Sequence, residues 1–393
     1  MMSCVDDVLI IRVQDAVKEI GAELHLANNF IPETAKGRKN DDERRSQLMA
    51  AIEHVMLGIV RSVAEGKPPV LALRNQRDWK NVNFSHWLEL KSEGQASTVE
   101  VKFSSSRSRT KFSLICHVLG VIHRLLFTRS TCTRRQLYYQ NVTLIGNQGL
   151  LDAAVRDICC LLKAPAWELG ITATSKGVVA GPLSLVMETG DIIDCTAPGG
   201  VLIPQDLHKV VRLESSARFV LLVEKDAAFQ KLLDEGVLER LGPCLLITGK
   251  GFPDVATRLL VRLLWKSLGV PVLALVDADP HGIEIMCVYR FGSLNMSYQS
   301  DDLAVPAIRW LGVHPTDISR LGMKAQPFSA ADFKKLRKLL SRSYITSHEA
   351  LRDQVKALLS GGRKAEIEGV ARFSSSYLTD AYIPNKICCR EVL

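Results

Sequence analysis

Phe219-Val220-Leu221-Leu222-Val223-Glu224 and, further along, Val272-Leu273-Ala274-Leu275-Val276-Asp277-Ala278-Asp279 are five apolar residues ending on an acid, twice. An unbroken apolar run of this length between polar neighbours reads as a strand buried on both faces, the habit of a parallel sheet. Outward from the two runs the pattern predicts a helix over Ala227 to Leu233, a strand over Cys244 to Ile247 and a helix over Pro253 to Leu268. The second apolar strand covers Val270 to Val276, and a helix follows over His281 to Tyr289. Strands alternating with helices imply an α/β domain with a parallel sheet, helices on its faces and its chemistry at the carboxyl ends of the strands.

Those ends carry acids. Residues two apart in an extended segment face one side, so Asp277 and Asp279 are expected to project together, with Glu224 beside them if the two strands pair. Three carboxylates in a small volume repel one another, and a hard divalent cation with oxygen ligands, Mg²⁺ above all, relieves the repulsion. The plainer reading of Glu224 is a first-turn acid favoured by a helix dipole. Capping alone does not account for two acids abutting one apolar run.

The chain has 393 residues, with 50 Lys and Arg against 42 Asp and Glu, a net charge of +8. Its 47% hydrophobic and 23% charged content excludes a disordered or fibrous protein, and the length suggests two or three domains. From Val101 to Leu151 there is no acid, while Lys102, Arg107, Arg109, Lys111, Arg124, Arg129, Arg134 and Arg135 all fall there. Outside this window basic and acidic residues balance, so the surplus has one address. A polyanion such as duplex DNA is the partner that such a stretch suggests, the alternative being a solvated basic hairpin with no ligand. None of the ten cysteines forms a C-x-x-C pair; Cys159-Cys160 and Cys388-Cys389 are simply adjacent. With Asp6 and Asp7 ahead of a short apolar run, no secretory signal is read, and a reducing interior, cytosol or nucleus, is expected. No uninterrupted apolar stretch reads as a membrane span.

Helical spacing runs over Val5 to Leu26 and Asp41 to Ala64, separated by a polar segment, Asn28 to Asn40, containing Pro32. Residues 1–65 are accordingly read as a helical arm for a partner or dimer contact, with packing onto their own domain as the alternative. Residues 66–110, with Pro68, Pro69 and a serine cluster, read as an irregular linker. Phe112 to Phe127 is a helix, Thr133 caps a second helix through Tyr139, and a third runs from Asn147 to Leu162. Ile171 to Val186, rich in Thr, Val and Gly, reads as two short strands around a turn. Three helices and a hairpin give a winged-helix (CAP-like) DNA-binding domain over 111–205, leaving 206–393 for the α/β domain.

A glutamate after one core strand and Asp-x-Asp after a later one is similar to the Toprim metal-binding module. Val223-Glu224-Lys225-Asp226-Ala227, Thr248-Gly249-Lys250-Gly251 and Asp277-Ala278-Asp279-Pro280-His281-Gly282 resemble the topoisomerase VI A-subunit family, and more closely its eukaryotic branch that makes the double-strand breaks of meiotic recombination. The likeness extends from about Lys111 to Lys386, and its tail segment is Tyr382-Ile383-Pro384-Asn385-Lys386. It implies that Thr133-Arg134-Arg135-Gln136-Leu137-Tyr138-Tyr139 is the catalytic segment, with Tyr139 the nucleophile. Gln136 departs from the acid common in relatives.

The residue types suit the chemistry. A phenol needs help to ionise near neutrality, and Arg135, four residues before Tyr139, shares its helical face. Tyr138 points about 100° away and is expected to pack. The resemblance further implies a 5′-phosphotyrosyl link, Mg²⁺ at Glu224, Asp277 and Asp279, and an active homodimer in which the tyrosine of one protomer meets the acids of the other. It also implies a B-like ATPase subunit bound through the N-terminal arm, meiotic accessory proteins, and a nuclear, chromosomal location. Arg134, Lys176, Lys250, Arg107, Arg109 and Lys111 are the expected DNA contacts. Lys176 has a plainer reading as a solvated turn residue, and His281 as a capping or hydrogen-bonding side chain. The phosphate-loop pattern G-x-x-x-x-G-K-[ST] is absent, so Gly249-Lys250-Gly251 is read as lining the DNA path and not as an ATP site. A true topoisomerase VI enzyme of the A type, which reseals its cut, and a non-cleaving dimer that binds DNA ends are the rival functions.

Overall fold

The computed structural model describes residues 4–28, 41–74, 82–84, 90–92, 98–172, 174–293, 296 and 303–393. The expected loop around Pro32 lies outside the described residues. Helix α1 spans Cys4–Asn28 and α2 spans Asp41–Ala64. Four short strands follow: β1 (Val70–Arg74), β2 (Val82–Phe84), β3 (Leu90–Ser92) and β4 (Thr98–Lys102). β1 pairs antiparallel with β4, Leu71 opposite Val101, and β2 with β3. The linker reading of 66–110 is therefore corrected. Leu71 and Leu73 are buried while Val70 and Ala72 are exposed, a two-residue alternation overshadowed by the neighbouring prolines.

Helices α3 (Arg109–Thr128), α4 (Arg134–Gln140), α5 (Val142–Ile145) and α6 (Gln148–Leu162) surround the first core. Ile115, Val118, Leu119 and Ile122 of α3 meet Leu151, Val155 and Ile158 of α6, and Leu48 and Ile52 of α2 close the cluster. By length and composition alone α2 and α3 are each long and apolar enough to cross a membrane, although charged residues such as Glu53 and Arg61 in α2 and Lys111 and Arg124 in α3 interrupt them. The apolar stripe of α3 is consumed by this core. The two-residue strands β5 (Cys132–Thr133) and β6 (Ile171–Thr172) pair in parallel beside it.

The expected hairpin over Ile171 to Val186 does not form. β7 (Val178–Ala180) joins the main sheet, whereas β8 (Leu183–Met187) pairs with β9 (Ile192–Asp194) and, later, with β11 (Val210–Ser215). Gly181 makes the corner at φ +125°, where a Cβ would come within 2.5 Å of the Cys244 carbonyl oxygen. The chain turns there to leave one sheet for another, and a run rich in Thr, Val and Gly does not reveal which partner each strand takes. β7 thus belongs to the main sheet although it precedes the boundary expected near residue 205.

The main sheet has the order β10-β7-β13-β12-β14-β15, with β10 at Val201–Leu202, β12 at Phe219–Val223, β13 at Cys244–Thr248, β14 at Val272–Leu275 and β15 at Arg309–Gly312. β13, β12, β14 and β15 are parallel neighbours; β7 and β10 extend the edge antiparallel. Every residue of β12, β13 and β14 is buried, as the apolar runs require. Helices α7 (Asp226–Asp234), α8 (Val237–Arg240), α9 (Val255–Leu268) and α10 (Pro280–Phe291) cover the faces. Beyond β15 come α11 (Pro315–Arg320), strand β16 (Gln326–Pro327), α12 (Ala330–Leu340), α13 (Ser343–Thr346), α14 (Glu349–Gly361), strand β17 (Arg363–Lys364) and α15 (Ile383–Cys388).

Residues 1–65 do not stand apart as one arm. Val13, Ala16, Val17 and Ile20 of α1 belong to the core of the sheet domain, and α2 to the helical core. The reason is the width of the apolar stripes, which the chain itself can cover. What remains outward on α2 is Leu57, Val60 and Val63, each about 60% exposed.

Candidate active site

Because β13 and β14 flank β12 on opposite sides, the sheet's direction of winding reverses at β12, and its carboxyl end is the crevice where open α/β sheets place ligands. Glu224 leaves β12 and Asp277 leaves β14 into this crevice. The Glu224 N–H donates to the Leu275 carbonyl at 3.0 Å, and the Asp277 N–H donates to Glu224 Oε2 at 2.9 Å. Asp277 is 4% exposed, and its Oδ1 accepts from the Ile367 N–H at 2.8 Å. Burial, reinforced by the charge of Asp277, pushes the Glu224 carboxyl up to about 8. Burial likewise raises Asp277 to about 6, against the pull of the Ile367 N–H and Lys225.

Asp279 behaves differently from the expected third claw. Its Oδ1 caps α10, accepting from the N–H groups of His281 at 2.7 Å and Gly282 at 2.6 Å. Among the described residues no group of three acidic, histidine or cysteine side chains converges as a closed metal cage. Asp279 is near enough for its charge to raise Glu224 further, so the three acids share a field without sharing a single focus. The α10 turn presses close because residue 282 is glycine: a Cβ there would lie 2.4 Å from the Asp277 carbonyl oxygen and 2.8 Å from Glu224 Oε2.

The cation already present is Lys225. Its ammonium lies 3.0 Å from Asp277 Oδ2, 3.1 Å from Glu366 and 3.2 Å from Glu368. Burial disfavours its charge, but these carboxylates outweigh burial and hold its pKa above the usual lysine range. The donor set is all oxygen, and Asp277 already draws a cation to itself, so these residues fit a hard divalent cation. Lys225, Glu366 and Glu368 were missed in the sequence. The acid-x-acid spacing of Glu366 and Glu368 repeats that of Asp277 and Asp279, but no apolar strand precedes it. A bridge between Ala278 and Ala365 brings that segment to the site.

The lysines expected on the DNA path flank the same crevice. Lys176 Nζ donates to the Lys250 carbonyl at 3.1 Å, Lys250 Nζ pairs with Asp226 at 3.0 Å, and the Gly251 N–H donates to the Glu224 carbonyl at 2.8 Å. His281 is exposed, and its Nδ1 accepts from Lys335 Nζ at 2.9 Å. The tail segment serves as a lock: Lys386 is buried against Asp317, Glu391 and His314 Nδ1, and the Tyr382 hydroxyl donates to Asp317 at 2.6 Å. Burial and the Lys386 charge pull His314 down to about 4.

Helix α4 starts as read, Thr133 accepting from the Gln136 N–H at 3.1 Å. Tyr139 is 71% exposed on the same face as exposed Arg135, while Tyr138 is half-buried with its hydroxyl directed to the Gly146 carbonyl at 3.5 Å. Arg134 turns inward toward Asp152 at 3.5 Å as a partly buried ion pair. Lys111 pairs with Asp157, Lys102 with Glu100 and Arg129 with Asp42, so half of the basic window finds acids in space that it lacks along the chain. Arg107, Arg124 and Arg135 are exposed, and Arg109 lies beside Phe103, donating to its carbonyl at 3.1 Å. Among the described residues no hydrogen bond or ion pair joins α4 to Glu224, Asp277 or Asp279.

Residues 219–387 match the Toprim domain of the family that unites topoisomerase 6 A-type subunits with Spo11, and residues 110–171 match Type IIB DNA topoisomerase. The chain is 41% identical over 346 residues to Meiotic recombination protein SPO11 of Homo sapiens, covering 87% of each. It is 43% identical over 291 residues to Meiotic recombination protein W68 of Drosophila melanogaster, 73% of this chain and 86% of that one. With the A-type subunit of DNA topoisomerase 6 from Arabidopsis thaliana it shares 38% identity over 290 residues, 72% of this chain and 67% of the other. A switch-point carboxylate pair, an exposed tyrosine on a basic helical unit and these likenesses agree, and the chain belongs to the family of Spo11 and the topoisomerase 6 A-type subunits.

Proposed function

We propose that this chain is a topoisomerase-like DNA transesterase that makes double-strand breaks in meiosis, acting in the nucleus on chromosomes. The observation that carries the assignment of the nucleophile is the exposed phenol of Tyr139 on one face with Arg135. The Tyr139 oxygen attacks the phosphorus, the sugar 3′ oxygen leaves, and one phosphodiester is exchanged for a 5′-phosphotyrosyl ester with the bond count conserved. Arg135 offsets charge building on the phosphate. Lys176, Lys250, Arg107 and Arg109 hold flanking phosphates by their charge. Glu224 and Asp277, with Asp279 adding its field, would hold Mg²⁺. When bound, the ion supplies electrostatic stabilisation of a phosphate and of the leaving oxygen.

That no hydrogen bond or ion pair joins α4 to the acids among the described residues supports an active homodimer whose site joins the two halves from different protomers. Duplex DNA is the substrate. A B-like subunit is the partner for the N-terminal helices, and the outward Leu57, Val60 and Val63 of α2 are the apolar surface left for it. Meiotic accessory proteins complete the set. The likeness to the Arabidopsis topoisomerase supports the second reading, an enzyme of the A type that reseals what it cuts.

The test is recovery of covalent protein–DNA adducts from meiotic cells. The wild type should carry short oligonucleotides and Tyr139→Phe none. Adducts persisting in Tyr139→Phe would move the nucleophile elsewhere.

A further inference from the structure

Three carboxylates surround the Lys225 ammonium, and they are not equivalent. Asp277 is buried and its other oxygen is committed to the Ile367 N–H. Glu366 and Glu368 stand at the rim of a cleft of 390 Å³ that Asp279, Lys324 and Lys364 also line. A cation held by Glu224 and Asp277 would meet the ammonium at Asp277 Oδ2, and two positive charges in one half-buried place repel strongly. The lysine stem is flexible and its head carries three donors. With Glu366 at 3.1 Å and Glu368 at 3.2 Å, the ammonium can release Asp277 and keep two anionic partners.

We propose that Lys225 is a built-in competitor of the divalent cation: it neutralises Asp277 in the metal-free chain and withdraws onto Glu366 and Glu368 when the metal arrives. Lys225 is then a positioning residue that sets metal affinity, and the two glutamates raise that affinity by drawing it away without ligating the metal. The inference rests on the reading of Glu224 and Asp277 as the Mg²⁺ carboxylates.

Calorimetric titration of the full chain with Mg²⁺ alone, without DNA, tests it, with thermal melting to establish that each variant is folded. Lys225→Met should bind on the order of tenfold more tightly, the worth of one charged hydrogen bond to a ligand oxygen. Lys225→Arg, which keeps a competing cation, should stay near wild type. The pair Glu366→Gln and Glu368→Gln should weaken binding when Lys225 is present and change nothing in Lys225→Met. Unchanged or weaker binding by Lys225→Met overturns the inference, as does a loss in the glutamine pair that persists without Lys225, since the glutamates would then be ligands. If Asp277→Asn binds as well as wild type, or if neither wild type nor Lys225→Met binds Mg²⁺, the underlying metal reading falls with it. If Asp277→Asn abolishes binding while Lys225→Met matches wild type, the metal reading stands and only the competitor fails.

Discussion

The Asp277 N–H donates to Glu224 Oε2 at 2.9 Å, so the backbone of one strand end holds the carboxylate of its neighbour. The bond fixes Glu224 while burial works against its charge. Glu224 is thus placed accurately but left short of countercharge, since the Lys225 ammonium pairs with Asp277 and not with it, a combination with consequences for stability as well as for chemistry.

The first consequence is a pH dependence of the metal-free protein. Glu224 is raised to about 8 and Asp277 to about 6, both above their unfolded values. The folded chain therefore retains protons that the unfolded chain has released, and stability falls as pH rises through that window. In chelator, urea unfolding should lose on the order of 1–3 kcal/mol between about pH 5 and about pH 8, allowing for partial solvation. Glu224→Gln should flatten the upper part of the curve, and Mg²⁺ should restore wild-type stability at the alkaline end. An unchanged slope in Glu224→Gln would remove this carboxyl as its source.

Basic residues of one stretch should divide into two behaviours. Arg135→Ala and Arg107→Ala should each lower the salt dependence of DNA binding by about one counterion. Arg134→Ala should leave that slope alone and reduce stability instead, because Asp152 loses its partner. Anisotropy titrations over a range of salt separate these outcomes, and equal slopes for Arg134→Ala and Arg135→Ala would contradict the inward placement.

Gly282→Ala probes the packing of α10 on the acids. The added methyl meets a backbone carbonyl that has no rotamer by which to escape, so a cost of about 1–3 kcal/mol is expected, together with loss of cleavage. A variant as stable and active as wild type would mean that the turn shifts freely.

Much of this was legible in the chain because the signals were local. Five apolar residues ending on Glu224 or Asp277 specify a buried strand and where it stops, and Thr133 specifies where α4 begins. The two-residue alternation of Leu71 and Leu73 was equally local but was masked by Pro68 and Pro69. What could not be read depends on pairing in space. Nothing near Val178 says that β7 will pair with β13, and nothing near Lys111 announces Asp157. Asp279 shows the remaining difficulty: the same residue type and spacing serve a metal or a helix cap, and only the α10 N–H groups decide how much of each.

Helix α1 contributes Val13, Ala16, Val17 and Ile20 to a core otherwise built from β7 onward, and it packs against α15. During synthesis α1 leaves the ribosome before β7, yet the last helix it packs against is made only near residue 388. Its apolar stripe must wait uncovered until the sheet is made, and its packing is complete only with α15. An isolated fragment beginning at β7 should expose that groove and aggregate, however complete its carboxylates.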